Sequence, residues 1–120
     1  MKDRNKDLEG KVAIVTGSGA ARGLGFVIAR VLAEAGATVV LTGRRLGELE
    51  ELTNSLKDKG LAVAHHLVDI ADEKSVEELL RFTKKTFERL DTLVNNAAMT
   101  SSRLPVRATI QIAPSITTKR

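Results

Sequence analysis

The chain has 120 residues, enough for one domain that buries roughly two thirds of its unfolded surface. Apolar residues make up 42% but aromatics only 2%, with three Phe and neither Trp nor Tyr, so the core must be aliphatic. Cysteine is absent, which excludes disulfides, thiolate metal sites and a cysteine nucleophile, and the net charge of +4 comes wholly from Arg103, Arg107, Lys119 and Arg120, because residues 1–100 are balanced.

The elements follow in chain order. Met1–Asp7 is a charged arm with no apolar run behind it, unlike a signal peptide. Val12–Thr16 is short, apolar and β-branched, which predicts a buried strand. From Leu24 the apolar residues recur at Val27, Ile28, Val31, Leu32 and Ala35, one predicted buried face of a helix that Gly36 ends. Thr38–Thr42 is a second strand. Leu46, Leu49, Leu52 and Leu56 mark a second helix closed by Gly60, and Ala62–Val68 a third strand. Asp72 is placed to cap a third helix, with Val76, Leu79, Leu80, Thr83 and Phe87 on its inner face. Asp91–Asn95 is a fourth strand.

Strands and helices that alternate with short connections require a parallel sheet with helices packed on it. The expected fold is therefore α/β with a parallel sheet; by analogy with doubly wound folds it is the N-terminal half of a Rossmann-like sheet of order 3-2-1-4. Residues 101–120 break the rhythm. Val106, Ala108, Ile110 and Ile112 alternate with polar residues between Pro105 and Pro114, so this piece either pairs on the open edge of the fourth strand or is coil. The expected division is an arm over 1–7, a binding domain over 8–100 and a basic tail over 101–120. No apolar run is long enough to cross a membrane. With no aromatic platform or reading motif, the basic tail does not suggest nucleic-acid binding. A cytoplasmic protein fits these features.

The turn between the first strand and first helix holds Gly17, Gly19, Gly23 and Gly25. Glycines here let backbone N–H groups approach phosphate oxygens above the positive end of a helix dipole. A strict Gly-x-Gly-x-x-Gly is not met, because the third glycine comes one residue late, and the nucleotide-hydrolase pattern ending Gly-Lys-Ser/Thr is absent. Ser18-Gly19-Ala20-Ala21-Arg22-Gly23-Leu24-Gly25 instead resembles the Thr-Gly-x-x-x-Gly-x-Gly loop of the short-chain dehydrogenase/reductase family. Either Thr16-Gly17 keeps the family's Thr-Gly place and two residues are inserted after it, or Ser18-Gly19 takes that place.

Three further pieces are similar to the family: the lead-in Leu8–Val12, Asp69-Ile70 after the third strand, and Asn95-Asn96-Ala97-Ala98 after the fourth, with Ala98 in place of a glycine. The resemblance covers about residues 8–100. It implies a dinucleotide site built from Gly17, Ser18, Gly19, Arg22, Gly23, Leu24, Gly25, Arg44, Asp69, Ile70, Asn95 and Ala97, with the Asp69 carboxylate accepting from the adenine amino group. An NAD-binding member needs an acid at the end of the second strand, whereas NADP requires cations for the 2′-phosphate. Gly43 stands at the acid's position, Arg44 follows it, and Arg22 precedes the second loop glycine. Guanidinium forks suit phosphate, so NADP(H) is preferred over NAD(H).

His65-His66 does not form a metal site, because neighbours on a strand point to opposite faces; one is expected packed and the other exposed. The family's Tyr-x-x-x-Lys pair, in which tyrosine exchanges the proton during carbonyl/alcohol hydride transfer, has no counterpart in a sequence without tyrosine. No catalytic residue is assigned. The expectation is the cofactor-binding part of such an oxidoreductase, truncated before the catalytic pair and inactive as this chain. The alternatives are a non-catalytic NADP(H)-binding regulatory or interaction module, and a scaffold that binds nothing. The expected partners are the dinucleotide and, through an uncovered sheet edge, a second copy or a full-length relative.

Overall fold

The strand and helix segments form in the order their patterns predict. The structure, a computed structural model, describes residues 7–96 and 109–112. In order the elements are β1 (Val12–Val15), α1 (Leu24–Glu34), β2 (Thr38–Gly43), α2 (Leu46–Lys57), β3 (Val63–Leu67), α3 (Glu73–Phe87), β4 (Thr92–Asn95) and β5 (Thr109–Ile112). They form one sheet of order β3-β2-β1-β4-β5. The first four strands are parallel, with Ile14 beside Val40 of β2 and Leu93 of β4. β5 runs antiparallel to β4, so the alternating tail piece is a strand and the edge the sequence left open is paired.

Two aliphatic cores lie on the two sheet faces. Val15, Val39, Leu41, Val63 and Val94 pack with Ala29 and Ala33 of α1 and Leu49 and Leu56 of α2. Ile14, Val40 and Val68 pack on the other face with Leu79 of α3 and Leu90, flanked by Val76, Leu80, Phe82 and Phe87. Burying each large aliphatic side chain contributes about 1.5–3 kcal/mol.

Helix boundaries follow local chemistry. The Asp72 carboxylate accepts the Lys74 N–H at 3.0 Å and caps α3. Gly36 turns the chain out of α1 at φ 106°, and a Cβ there would lie 3.0 Å from the Glu9 nitrogen.

The inner face of α1 differs from the apolar periodicity. Its buried residues are Gly25, Ala29 and Ala33, while Leu24, Val27 and Val31 are 56%, 40% and 50% exposed. Ile28 and Leu32 are half-buried at the margin. The helix lies so close to the sheet that only small residues fit directly beneath it; Phe26, Ile28 and Leu32 pack at the margins and Leu24, Val27 and Val31 are turned outward. Leu46 of α2 is also exposed. His65 and His66 do point to opposite faces, but both are half-buried. His65 lies 3.9 Å from Glu50, and His66 packs on Phe82 with ring centroids 4.8 Å apart.

At the base of the sheet, Asp91 accepts the Val12 N–H at 2.8 Å and both arms of the Arg89 guanidinium at 2.8 and 2.7 Å. The Arg89 hydrogen bond, more than the Val12 amide, holds the Asp91 carboxyl below the usual carboxylate range, against the opposing effect of burial. The folded carboxyl takes up its proton less readily than the unfolded one. Its stabilisation is therefore complete above the unfolded pKa of about 3.9 and is lost as pH falls through the folded value. Acid titration of the melting temperature should show this loss below about pH 4, and Asp91→Asn should give a shallower acid slope from a lower plateau at neutral pH.

Candidate functional site

The site is assembled where β1, β2 and β4 end and α1 begins. Beyond β1 the Thr16 N–H continues to the Val94 carbonyl at 2.9 Å. The Thr16 hydroxyl oxygen accepts the Asn96 N–H at 2.9 Å and lies 3.1 Å from Asn95 Oδ1. Gly17 then reverses the chain at φ 68°. Asn96 Nδ2 donates to the Gly17 carbonyl at 3.3 Å. Gly25, in the first turn of α1, lies directly on this pair: a Cβ there would fall 2.4 Å from the Gly17 oxygen and 2.6 Å from Asn96 Nδ2. Thr16-Gly17 thus keeps the place at the strand end, and the two extra residues fall in the loop that follows.

That loop is fastened sideways to β2. Ser18 is fully buried; its hydroxyl donates to the Val15 carbonyl at 2.7 Å and accepts the Thr42 N–H at 2.9 Å. The Ser18 N–H returns to the Thr42 carbonyl at 2.9 Å. Gly19 packs on Gly43 so tightly that a Cβ on either would approach the other's Cα to 3.2–3.3 Å. Ala20, Ala21 and Arg22 are exposed, and Gly23 precedes the helix in an extended conformation with no side-chain cap. Among the described residues, the first N–H groups of α1 therefore have neither a capping side chain nor an acidic residue in the first turn.

The other expected residues are distributed around this loop. Leu24 is exposed at the start of α1, and Arg44 is exposed after β2. Neither Arg22 nor Arg44 has a carboxylate partner among the described residues. Asp69 and Ile70 are exposed after β3, and Asn95 is exposed at the end of β4. Ala97 lies outside the described residues. A cleft of about 460 Å³ opens between the β2 and β3 ends and α3, lined by Arg44, His66, Val68, Asp69, Ser75 and Glu78 among others. This is within the size range of small-molecule sites.

Two residues absent from the expected set matter to the geometry. Asn96 joins β4 to the Gly17 turn, a role its place in the Asn-Asn pair could have suggested. Thr42 supplies the buried N–H that Ser18 satisfies, and its hydroxyl donates to the Val15 carbonyl at 3.1 Å. Ser18 itself has both its hydroxyl and its N–H committed inside the protein, so donors to a ligand must come from its neighbours.

The fit to a dinucleotide is structural. The close packing of Gly25 on Gly17 sets the start of α1, uncapped among the described residues, beneath a glycine turn, and Arg22 and Arg44 stand exposed in the loops that follow β1 and β2. Chemically, the arrangement can hold an anion on backbone N–H groups and a second anion on arginine.

Comparison with known proteins agrees with this geometry. The sequence profile described as short chain dehydrogenase matches residues 11–113. An uncharacterised oxidoreductase of Thermotoga maritima is 43% identical over 94 residues, 78% of this chain and 36% of its own length. The uncharacterised oxidoreductase YxnA of Bacillus subtilis is 41% identical over 96 residues, 80% of this chain and 26% of its own. Among solved structures, L-sorbose reductase from Gluconobacter frateurii, complexed with NADPH and L-sorbose, superposes with a TM-score of 0.75 at 37% identity, covering 82% of this chain and 37% of that one. Hydroxysteroid dehydrogenase from Escherichia coli gives 0.73 at 34% identity over 77% of this chain and 38% of its own. The chain thus spans well under half the length of these relatives. Sheet order, the glycine turn under α1 and these matches lead to one conclusion: the chain belongs to the short-chain dehydrogenase family.

Proposed function

We propose that residues 8–100 form the NADP(H)-binding part of a short-chain dehydrogenase/reductase-type oxidoreductase. The observation that carries the choice of cofactor is the end of β2. Gly43 stands where an NAD site would place a carboxylate, and the exposed Arg44 follows it. Arg22 adds a second exposed guanidinium. That a structural neighbour was solved with NADPH is consistent with this reading.

In this reading the backbone of Gly17–Gly25 and the first turn of α1 hold the pyrophosphate, with Leu24 at the mouth. Arg22 and Arg44 hold the 2′-phosphate. Asp69 and Ile70 border the adenine, and Asn95 with Ala97 borders the remaining length of the cofactor. The bound nicotinamide would supply or accept a hydride. These 120 residues contain no tyrosine to exchange the accompanying proton, so the reading assigns them binding without turnover.

Thermal unfolding with matched NADPH and NADH tests the proposal, because a ligand bound only by the folded state raises the melting point. NADPH should raise it more than NADH. Arg22→Ala and Arg44→Ala should each weaken NADPH binding about tenfold, the worth of a charged hydrogen bond, and leave NADH nearly unchanged. Equal shifts by the two cofactors would refute the NADP assignment, and no shift by either would refute binding.

A further inference from the structure

Asp69 is held at three points, and one hold comes from the next helix. Its carbonyl accepts the Asp72 N–H at 2.9 Å, and its own Oδ1 accepts the Ala71 N–H at 3.0 Å. Its backbone N–H donates to the Ser75 hydroxyl oxygen at 2.9 Å. β3 ends at Leu67, so no strand is available to take the Asp69 N–H. Ser75, the third residue of α3, replaces that partner by reaching back over the turn. Both residues line the cleft that Arg44 borders.

We infer that Ser75 is a positioning residue for adenine recognition, fixing the Asp69 carboxylate so that Oδ2 faces the 6-amino group. The inference rests on the reading of Asp69 given above. The chain of cause runs through the backbone. The Ser75 oxygen fixes the Asp69 peptide, and the fixed peptide keeps Oδ1 in its turn with Ala71. Oδ2, which has no partner among the described residues, is left as the outward acceptor. Hydrogen bonds weaken steeply with misalignment. An Asp69 freed from Ser75 therefore keeps its charge but loses its discrimination between an amino group, which donates, and a ring carbonyl, which repels it.

The test is a pair of dissociation constants on the 120-residue chain, one for NADPH and one for its hypoxanthine counterpart, in which the 6-amino group is a carbonyl. The wild type should prefer NADPH about tenfold. Ser75→Ala should bring the ratio close to one, and Ser75→Thr, which keeps the hydroxyl, should restore it. If Ser75→Ala lowers both affinities equally and keeps the ratio, Ser75 is merely structural and the inference falls. A wild-type ratio of one overturns the role of Asp69 and this inference together, while the NADPH-over-NADH comparison still judges the arginines. Should Ser75→Ala not fold, amide exchange in the wild type decides: the Asp69 N–H should exchange slowly, and exchange at the unprotected rate would overturn the inference.

Discussion

Gly25→Ala should destabilise the chain by about 3 kcal/mol, the upper part of the usual range for overpacking, and weaken NADPH binding by more than tenfold. The added methyl would fall 2.4 Å from the Gly17 carbonyl oxygen and 2.9 Å from its carbon. Both are backbone atoms and cannot rotate aside. Relief requires α1 to lift from the sheet, which separates its first turn from the Gly17 loop and breaks the Asn96 bridge. Alanine is the better helix former by about 1 kcal/mol, so propensity alone predicts the opposite sign, and the steric cost exceeds it. Gly47→Ala in α2 is the control, because a Cβ there meets nothing within 4 Å. It should leave stability unchanged or raise it by up to about 1 kcal/mol. Denaturant unfolding of the two variants, with an NADPH titration of each, separates the effects. A Gly25→Ala chain as stable as the wild type would show that the glycine contact does not hold the helix in place.

The second large effect is expected at a residue whose side chain never needs to touch a ligand. Ser18→Ala should cost about 2 kcal/mol, because it leaves the buried Thr42 N–H without its acceptor. In a domain of this size that lowers the melting temperature by roughly 10 °C. The Val15 carbonyl keeps the Thr42 hydroxyl as a donor, so the loss comes mainly from the orphaned amide. A calorimetric melt measures it directly, and a change of only 1 or 2 °C would mean that the loop rearranges to satisfy Thr42 by another route.

The parallel α/β architecture, the Asp72 cap and the Gly36 stop were legible in the sequence because each depends on residues close together in the chain or on the alternation of whole elements. The strand order came from analogy with doubly wound folds, since alternation alone fixes no order. The inner face of α1 was not legible. Apolar periodicity selects Leu24, Val27, Ile28, Val31, Leu32 and Ala35; of these Ile28 and Leu32 pack at the core's margin, Leu24, Val27 and Val31 are exposed, and the sheet receives Gly25, Ala29 and Ala33. Where a helix approaches a sheet closely, side-chain volume decides the face, and hydrophobicity carries little information about volume. The placement of the longer glycine loop was equally hidden. Spacing allowed Thr16-Gly17 or Ser18-Gly19 at the strand end, and the choice is made by bonds from Ser18 to Thr42, 24 residues away. The same holds for Asn96, whose partners Thr16 and Gly17 lie about 80 residues earlier. In the tail, the alternation of Ile110 and Ile112 did mark a strand over Thr109–Ile112; whether it would find a pairing edge depended on β4, which no local pattern encodes.

The contacts at the two ends of β4 have a consequence for strand register. β4 has four residues and only three partners on β1. A strand so short is the kind that slips, and a slip of one residue exchanges its two faces. Here that would turn Val94 out of the core shared with α1 and bring Leu93 in from the α3 side. Asp91 grips both the N–H and the carbonyl of Val12 at the lower end, and Thr16 grips Val94 and Asn96 at the upper end. Neither grip survives a one-residue shift, so the strand is indexed at both ends and Asn95 and Asn96 are delivered at one height above the sheet.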